Sequence, residues 1–111
     1  MDYAEIVRLF SELHGEVKDA LEAKEAALAM RLLERCQGAA LELGNRVEAV
    51  RGKGCHMVAI LEDYCELVYE VNEQIWHGEY INPGKVYRYL NRSLELVKEN
   101  LSLETAIPKE T

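Results

Sequence analysis

The sequence predicts an all-α fold, an antiparallel up-and-down four-helix bundle. Three observations predict it. Apolar residues recur every three or four positions along most of the chain, only two prolines and seven glycines interrupt this pattern, and the segments between the interruptions have similar lengths. With 111 residues, of which 49% are hydrophobic and 30% charged, the chain has the size and composition of one globular domain.

The first two helices are distinguished by a change in the phase of their apolar stripes. Asp2 has the short acceptor side chain of an N-cap, and the first helix is predicted over about residues 2–23. At about 100° per residue the second stripe is rotated by roughly 120° from the first, so we expect a turn near residues 23–26. The first stripe comprises Tyr3, Ile6, Phe10, Leu13, Val17 and Ala20, and the second Ala29, Leu32, Leu33, Cys36, Ala40, Leu43, Val47 and Val50.

Glycines and a proline set the bounds of the other two helices. Gly52 and Gly54 are expected to end the second helix, and Gly78 the third, which covers about residues 55–77. Asn82 and Pro83 predict the N-cap and first position of a fourth helix. The third helix carries Val58, Leu61, Cys65, Val68, Asn72 and Ile75 beside Ile60, Tyr64, Leu67 and Val71, and the fourth carries Val86, Leu90, Leu94, Val97 and Leu101.

The predicted domain organisation is a helical bundle over residues 1–103 and a tail or linker over residues 104–111, which show no periodicity. Within the bundle, a ridge of small residues on the second helix is the sharpest pattern. Cys36, Ala40 and Gly44 follow at i, i+4 and i+8, so they share one face where another backbone can approach closely. With Cys65 on the third helix, they are the predicted helix-packing residues.

Charge and hydropathy restrict the classes of partner. A formal charge of −7 argues against binding to phosphate backbones, so no nucleic-acid partner is expected. No apolar run approaches the roughly 18 residues of a membrane span, and Asp2 and Glu5 stand where a signal peptide would be basic, so we expect a cytoplasmic chain without membrane insertion. The three cysteines, Cys36, Cys55 and Cys65, form no CxxC pair and are expected to be reduced thiols.

Catalytic, cofactor and metal sites are not predicted. The break at Gly52-Lys53-Gly54 precedes a helix but lacks the strand and the longer glycine pattern of a phosphate loop. The third helix has an acidic stripe formed by Glu62, Glu66, Glu70 and Glu73, but the Glu-x-x-His pairs of di-iron bundles are missing. This stripe is interpreted as a solvated face, with Lys85, Arg88 and Arg92 of the fourth helix as possible ionic partners.

One spacing supports an enzymatic alternative. Arg51 and His56 are separated by four residues, which matches the R-x4-6-H signature of HEPN domains, helical proteins that cleave RNA. In such a site the histidine transfers a proton and the arginine stabilises phosphate charge. The alternative function is therefore a HEPN-like RNA-cleaving domain, although here the pair flanks the turn after the second helix instead of lying near the last long helix. A small ligand bound between helices is neither favoured nor excluded.

Aromatic residues predict a contact surface. Trp76 and Tyr80 flank the turn after the third helix, and Tyr87 and Tyr89 lie on different sides of the fourth. Amphipathic aromatic side chains at a rim often mark contact surfaces, although they also cap the ends of bundles. Asn72 lies within the core stripe of the third helix, where a buried amide can fix the register of paired helices, so self-association is expected.

A longer segment resembles a known family. Residues 33–48, the Gly52-Lys53-Gly54 break and residues 61–69 are similar to the helical N-terminal region of clostridial CDP-glycerol glycerophosphotransferase-like proteins, and residues 1–13 fit the same pattern. The resemblance is carried by Cys-Gln, Leu-Gly-Asn and Tyr-Cys-Glu elements, fades after about Trp76, and departs from the pattern at Lys53. It implies an accessory domain beside a transferase domain, because no nucleotide-binding α/β unit is present in these residues.

The leading hypothesis is a non-catalytic helical interaction or oligomerisation module. Its expected partner is a second copy of the chain, as a homodimer, or an adjacent transferase domain. The predicted contact surface is the group of four aromatic residues.

Overall fold

A computed structural model of the protein describes residues 3–52 and 56–106, with side chains up to Leu101. Throughout these residues the regular structure is helical, which confirms the predicted all-α bundle. The helices are α1 (Tyr3–Glu22), α2 (Ala26–Arg51), α3 (His56–Trp76) and α4 (Pro83–Ala106). The predictions for Asp2, Lys53, Gly54, Cys55 and residues 107–111 lie outside the described residues.

The turn between α1 and α2 forms where the change in stripe phase predicts it. Lys24 has a φ of 59°, the left-handed conformation that ends many helices. The amide of Glu25 donates to the carbonyl of Ala20 at 2.9 Å, and that of Lys24 to Leu21 at 3.1 Å. These two hydrogen bonds form a Schellman motif, so α1 ends cleanly without a glycine.

The turn between α3 and α4 uses the residues that the sequence singles out. Gly78 has a φ of 72° and repeats the same motif, with the amide of Glu79 donating to Gln74 at 3.0 Å. The Asn82 side-chain oxygen accepts the amide hydrogen of Lys85 at 3.2 Å, and α4 begins at Pro83. The predicted cap of α4 is therefore confirmed.

Each helix packs against two others. α1 contacts α2 and α4, and α3 contacts the same two helices, so α1 and α3 lie diagonally across an elongated core. The molecule measures 51 × 21 × 21 Å. The predicted stripe of α4 is fully buried, as is that of α1 apart from the half-buried Tyr3.

Several predicted packing positions differ in the structure. The prediction that Val50 lies in the core stripe of α2 is wrong. Val50 is 73% exposed because it lies at the end of the helix, beyond the buried stripe. Residues 104–106, predicted as tail, continue α4. Asn72 is half-buried, and its Oδ1 is buried without a hydrogen-bond partner among the described residues.

The small-residue ridge is only partly a close-packed surface. Cys36 and Ala40 are buried, while Gly44 and Cys65 are half-buried. A Cβ atom on Gly44 would lie 3.6 Å from the Cδ1 of Leu61, an ordinary van der Waals distance. The ridge therefore leaves room for a methyl group between α2 and α3.

Candidate functional site

A buried histidine connects α1 to two other helices. His14 is fully buried, with its Nδ1 2.9 Å from the Oδ1 of Asn91 and its Nε2 2.6 Å from the hydroxyl of Tyr64. An amide oxygen only accepts hydrogen bonds, so Nδ1 carries the ring hydrogen. Nε2 then accepts the hydrogen of the Tyr64 hydroxyl, which assigns one neutral tautomer to the imidazole.

Helix α2 reaches this network through Cys36. Its thiol lies beside the Tyr64 hydroxyl, since each group shifts the pKa of the other, so each of the four helices contributes one residue. We call these four residues, His14, Cys36, Tyr64 and Asn91, the His14 relay. The ring of Phe10 packs edge-on against Tyr64, with 5.4 Å between the centroids, and covers the network with apolar surface.

Burial keeps the relay uncharged. It lowers the pKa of His14, although the hydrogen bond to Asn91 acts in the opposite direction. Burial also raises the pKa of Cys36 to about 11, against the opposing effect of the neighbouring Tyr64 hydroxyl, and it raises the pKa of Tyr64. The Cys36 thiol therefore stays protonated near neutral pH, which makes it a poor nucleophile.

Sequence reasoning missed the relay. His14 lies one turn after Phe10 and directly after Leu13, so it sits at the margin of the predicted core stripe. A polar residue there, together with the amide of Asn91 between Leu90 and Leu94, was the available signal. Nothing local connects the two, because 77 positions separate them.

A second feature is a groove at one end of the bundle. One part of it, with a volume of about 530 Å³, lies between the α1–α2 turn and the α3–α4 turn. A second part of about 410 Å³ runs between α3 and α4. The two parts share Tyr80 and Ile81, and together we call them the aromatic groove. Its apolar lining is Leu21, Ala26, Leu67, Val71, Ile75, Tyr80, Ile81, Pro83, Val86 and Tyr89.

The structure separates the four predicted contact aromatics. Tyr80 and Tyr89 line the aromatic groove, and Tyr80 is 87% exposed. Trp76 is also largely exposed but is not part of the groove lining. Tyr87 instead faces α1, where the Nζ of Lys18 lies 5.3 Å from its ring centroid.

The rim of the aromatic groove is acidic. Four carboxylates and two lysines line it, which gives a net charge of about −2 when all six groups are ionised. The Nζ of Lys85 lies 5.7 Å from the ring centroid of Tyr89, within cation–π range. The carboxylates are Glu22, Glu25, Glu70 and Glu79, and the lysines are Lys24 and Lys85.

The residues of the nuclease hypothesis lie on the two sides of the segment that joins α2 to α3. Arg51 is the last residue of α2 and His56 the first of α3, and both are exposed. The three residues directly before His56 lie outside the described part of the chain, so the nuclease hypothesis stays a prediction. Cleavage of RNA that is lost in a His56→Ala variant would establish it.

Metal sites and membrane spans were sought over the same described residues. No three His, Cys, Asp or Glu side chains there are grouped so that they could hold a metal ion. Among the described helices, none combines the length and the apolar character needed to cross a bilayer.

No family model, curated protein or solved structure matches the chain. The resemblance to the transferase-associated helical region thus stays a prediction.

Proposed function

We propose that the protein is a non-catalytic helical interaction module that forms a homodimer through the aromatic groove and the adjoining surface of α4. The observation that carries the proposal is the groove itself, an exposed apolar surface with two tyrosines and an acidic rim. Exposed apolar surface of this kind is typical of contact sites.

The occupant of the groove in this proposal is a second copy of the chain. Beside the groove, the exposed face of α4 carries Arg88 and Arg92, four positions apart. Tyr89 lies between these two arginines in the sequence, and Leu96 follows Arg92 by four positions. Such spacing places the two guanidinium groups on one side of the helix. We call these four residues the basic strip of α4. The strip is complementary in charge to the acidic rim of the groove.

Adjacent complementary surfaces suit a dimer with twofold symmetry. In such a dimer the strip of each copy enters the groove of the other, and Tyr89, which belongs to both surfaces, lies near the axis. A standard interface buries about 800 Å² per partner, roughly a tenth of the 7020 Å² surface of this chain. The side of an elongated bundle offers such an area.

We also propose the antiparallel up-and-down topology for the bundle. Short turns join α1 to α2 and α3 to α4, and consecutive helices in the chain pack against each other. These features support antiparallel neighbours. In this arrangement the α1–α2 and α3–α4 turns lie at the same end, where both contribute to the aromatic groove.

The resemblance to transferase-associated proteins extends this proposal. If the native reading frame continues into a transferase domain, self-association through α3 and α4 would bring two such domains together. Sequencing of the reading frame beyond Thr111 tests this part, independently of the dimer itself.

A charge exchange between the two surfaces tests the dimer. One variant carries Arg88→Glu and Arg92→Glu, which makes its strip acidic, and the other carries Glu70→Lys and Glu79→Lys, which makes its groove basic. Each variant alone repels its own copy, whereas a mixture of the two restores opposite charges at both contacts. Sedimentation velocity should show a dimer for the wild type, monomers for each variant alone, and a heterodimer for the mixture.

A control variant separates the local effect from net charge. Arg8→Glu with Arg31→Glu makes the same change in charge on exposed positions of α1 and α2, and it should dimerise like the wild type. A monomeric wild type at the highest soluble concentration would refute self-association. A dimer that all variants retain would place the contact on another surface.

A further inference from the structure

The direction of the hydrogen bond between His14 and Tyr64 depends on whether the His14 ring carries one proton or two. With His14 neutral, the Tyr64 hydroxyl donates to Nε2 and the ring donates from Nδ1 to Asn91. The Cys36 thiol lies beside the Tyr64 hydroxyl, which lowers the pKa of the thiol against the effect of burial. Both ring nitrogens of neutral His14 have a hydrogen-bond partner, which is the condition for burying polar groups at little cost.

A second proton on His14 makes both ring nitrogens donors. The Tyr64 oxygen must then accept from Nε2, and its own hydrogen must turn towards the sulfur of Cys36, a weak acceptor. Protonation of the ring therefore reverses the hydrogen bond between His14 and Tyr64, which joins α1 to α3, and places a positive charge in the core.

No acidic group in the relay compensates that charge. α3 presents Tyr64 to the ring, α4 presents the uncharged Asn91, and α2 presents Cys36 behind Tyr64. Of the charged groups nearby, Arg35 and Glu16 act on Cys36, and Lys18, one turn along α1, lies over Tyr87. The ring is thus surrounded by neutral or weakly polar partners, unlike a histidine paired with a carboxylate.

We propose that the His14 relay is an acid-sensitive latch, which holds α1 against α3 and α4 while the ring is neutral and releases that contact when the ring takes a second proton. The proposal is independent of the dimer, because the relay lies in the core and the aromatic groove contains none of its four residues.

The sign of the effect follows from the pKa of the ring. Burial lowers the pKa of His14 in the folded chain relative to its value of about 6.5 when unfolded. Between these two values the unfolded chain binds more protons, so stability rises with pH. The stabilisation is complete above about pH 6.5 and is lost progressively as the pH falls below it.

Unfolding in urea between pH 7.5 and 5.0 tests the latch. Below about pH 6.5 the unfolding equilibrium constant of the wild type should rise by up to about tenfold per pH unit. A double variant, His14→Leu with Tyr64→Phe, removes both the ring and the hydroxyl that would otherwise be left without a partner. It should lack this pH dependence, whereas the exposed-histidine control, His56→Gln, should keep it.

Two spectroscopic measurements on the wild type give readouts that do not depend on the variant folding. Nitrogen NMR of the ring should show hydrogen on Nδ1 and none on Nε2 at pH 7, with a titration midpoint below 6.5. The protection factors for hydrogen exchange, which correct for the slower intrinsic exchange at low pH, should fall on acidification in residues 10–18 of α1. A ring midpoint at or above 6.5, or parallel pH dependence in the wild type and the double variant, would overturn the proposal.

Discussion

The His14 relay and the aromatic groove use the same kind of side chain for opposite purposes. Tyr64 is 2% exposed, and its hydroxyl is hydrogen-bonded at 2.6 Å to His14; Tyr80 is 87% exposed and lines a groove. Burial makes the first tyrosine part of the stability of the fold, because its ring and hydroxyl have both left water for defined partners. The second tyrosine keeps its apolar surface available, which costs the folded chain nothing and can stabilise a complex.

Polar atoms in this protein are distributed by position across the bundle more than by residue type. Inside, His14 is hydrogen-bonded to Tyr64 and Asn91, and these three residues and the neighbouring Cys36 are uncharged. Around the groove, carboxylates and lysines remain in contact with water, where their charge costs little. The two regions should therefore respond to different perturbations.

The largest expected effect on the free energy of unfolding is that of replacing Tyr64, and the same change at Tyr80 should have little effect. Tyr64→Ala should lower the free energy of unfolding by about 3–5 kcal/mol, because it leaves a cavity and removes the donor to His14. Tyr80→Ala should change it by about 0.5 kcal/mol or less, as for an exposed position. Urea unfolding of both variants measures the contrast, and equal losses would break the distinction between the two regions.

An intermediate effect is expected at Gly44, which faces Leu61 one turn from Tyr64. Gly44→Leu should overfill the contact between α2 and α3 and cost about 1–3 kcal/mol. Gly44→Ala is the control, because the structure leaves room for its methyl group and alanine favours a helix by about 1 kcal/mol over glycine. Full thermal stability of the leucine variant would show that the small-residue ridge is not a packing surface.

A smaller effect than at Gly44 is expected at Asn82, in the groove. Asn82 lines it and also caps α4, so Asn82→Ala should cost about 1 kcal/mol, while Asn82→Asp should keep the cap. Thermal unfolding compares the two variants. No loss in the alanine variant would mean that this groove residue, like Tyr80, contributes little to the fold.

The positions of the helix ends could be predicted because local chemistry fixes them. Asn82 and Pro83 begin α4 since one supplies the cap and the other has a φ suited to a first turn, and Gly78 takes the left-handed conformation that ends α3. The end of α1 was harder to predict, since Lys24 takes the left-handed conformation without being glycine. There the rotated stripe was sufficient, because one straight helix would leave one of the stripes exposed.

Val50 shows why periodicity does not predict burial at the end of a helix. Its spacing continues the stripe of α2, yet a stripe identifies only the face that turns inward. Whether a neighbouring helix extends far enough to cover that face depends on where the turn falls. In this chain the end of α2 remains exposed at Val50.

The helices, most of their inward faces and the α1–α2 and α3–α4 turns follow from the sequence, because these depend on residues within a few positions of one another. Only the packing of the helices brings His14, Cys36, Tyr64 and Asn91 together, and only this packing places Tyr80 and Tyr89 in one groove while Tyr87 faces α1. Hydrogen bonds between residues 50 and 77 positions apart arise from the packing of whole helices. Their partners are set by rotation and register across the core, which no local pattern records.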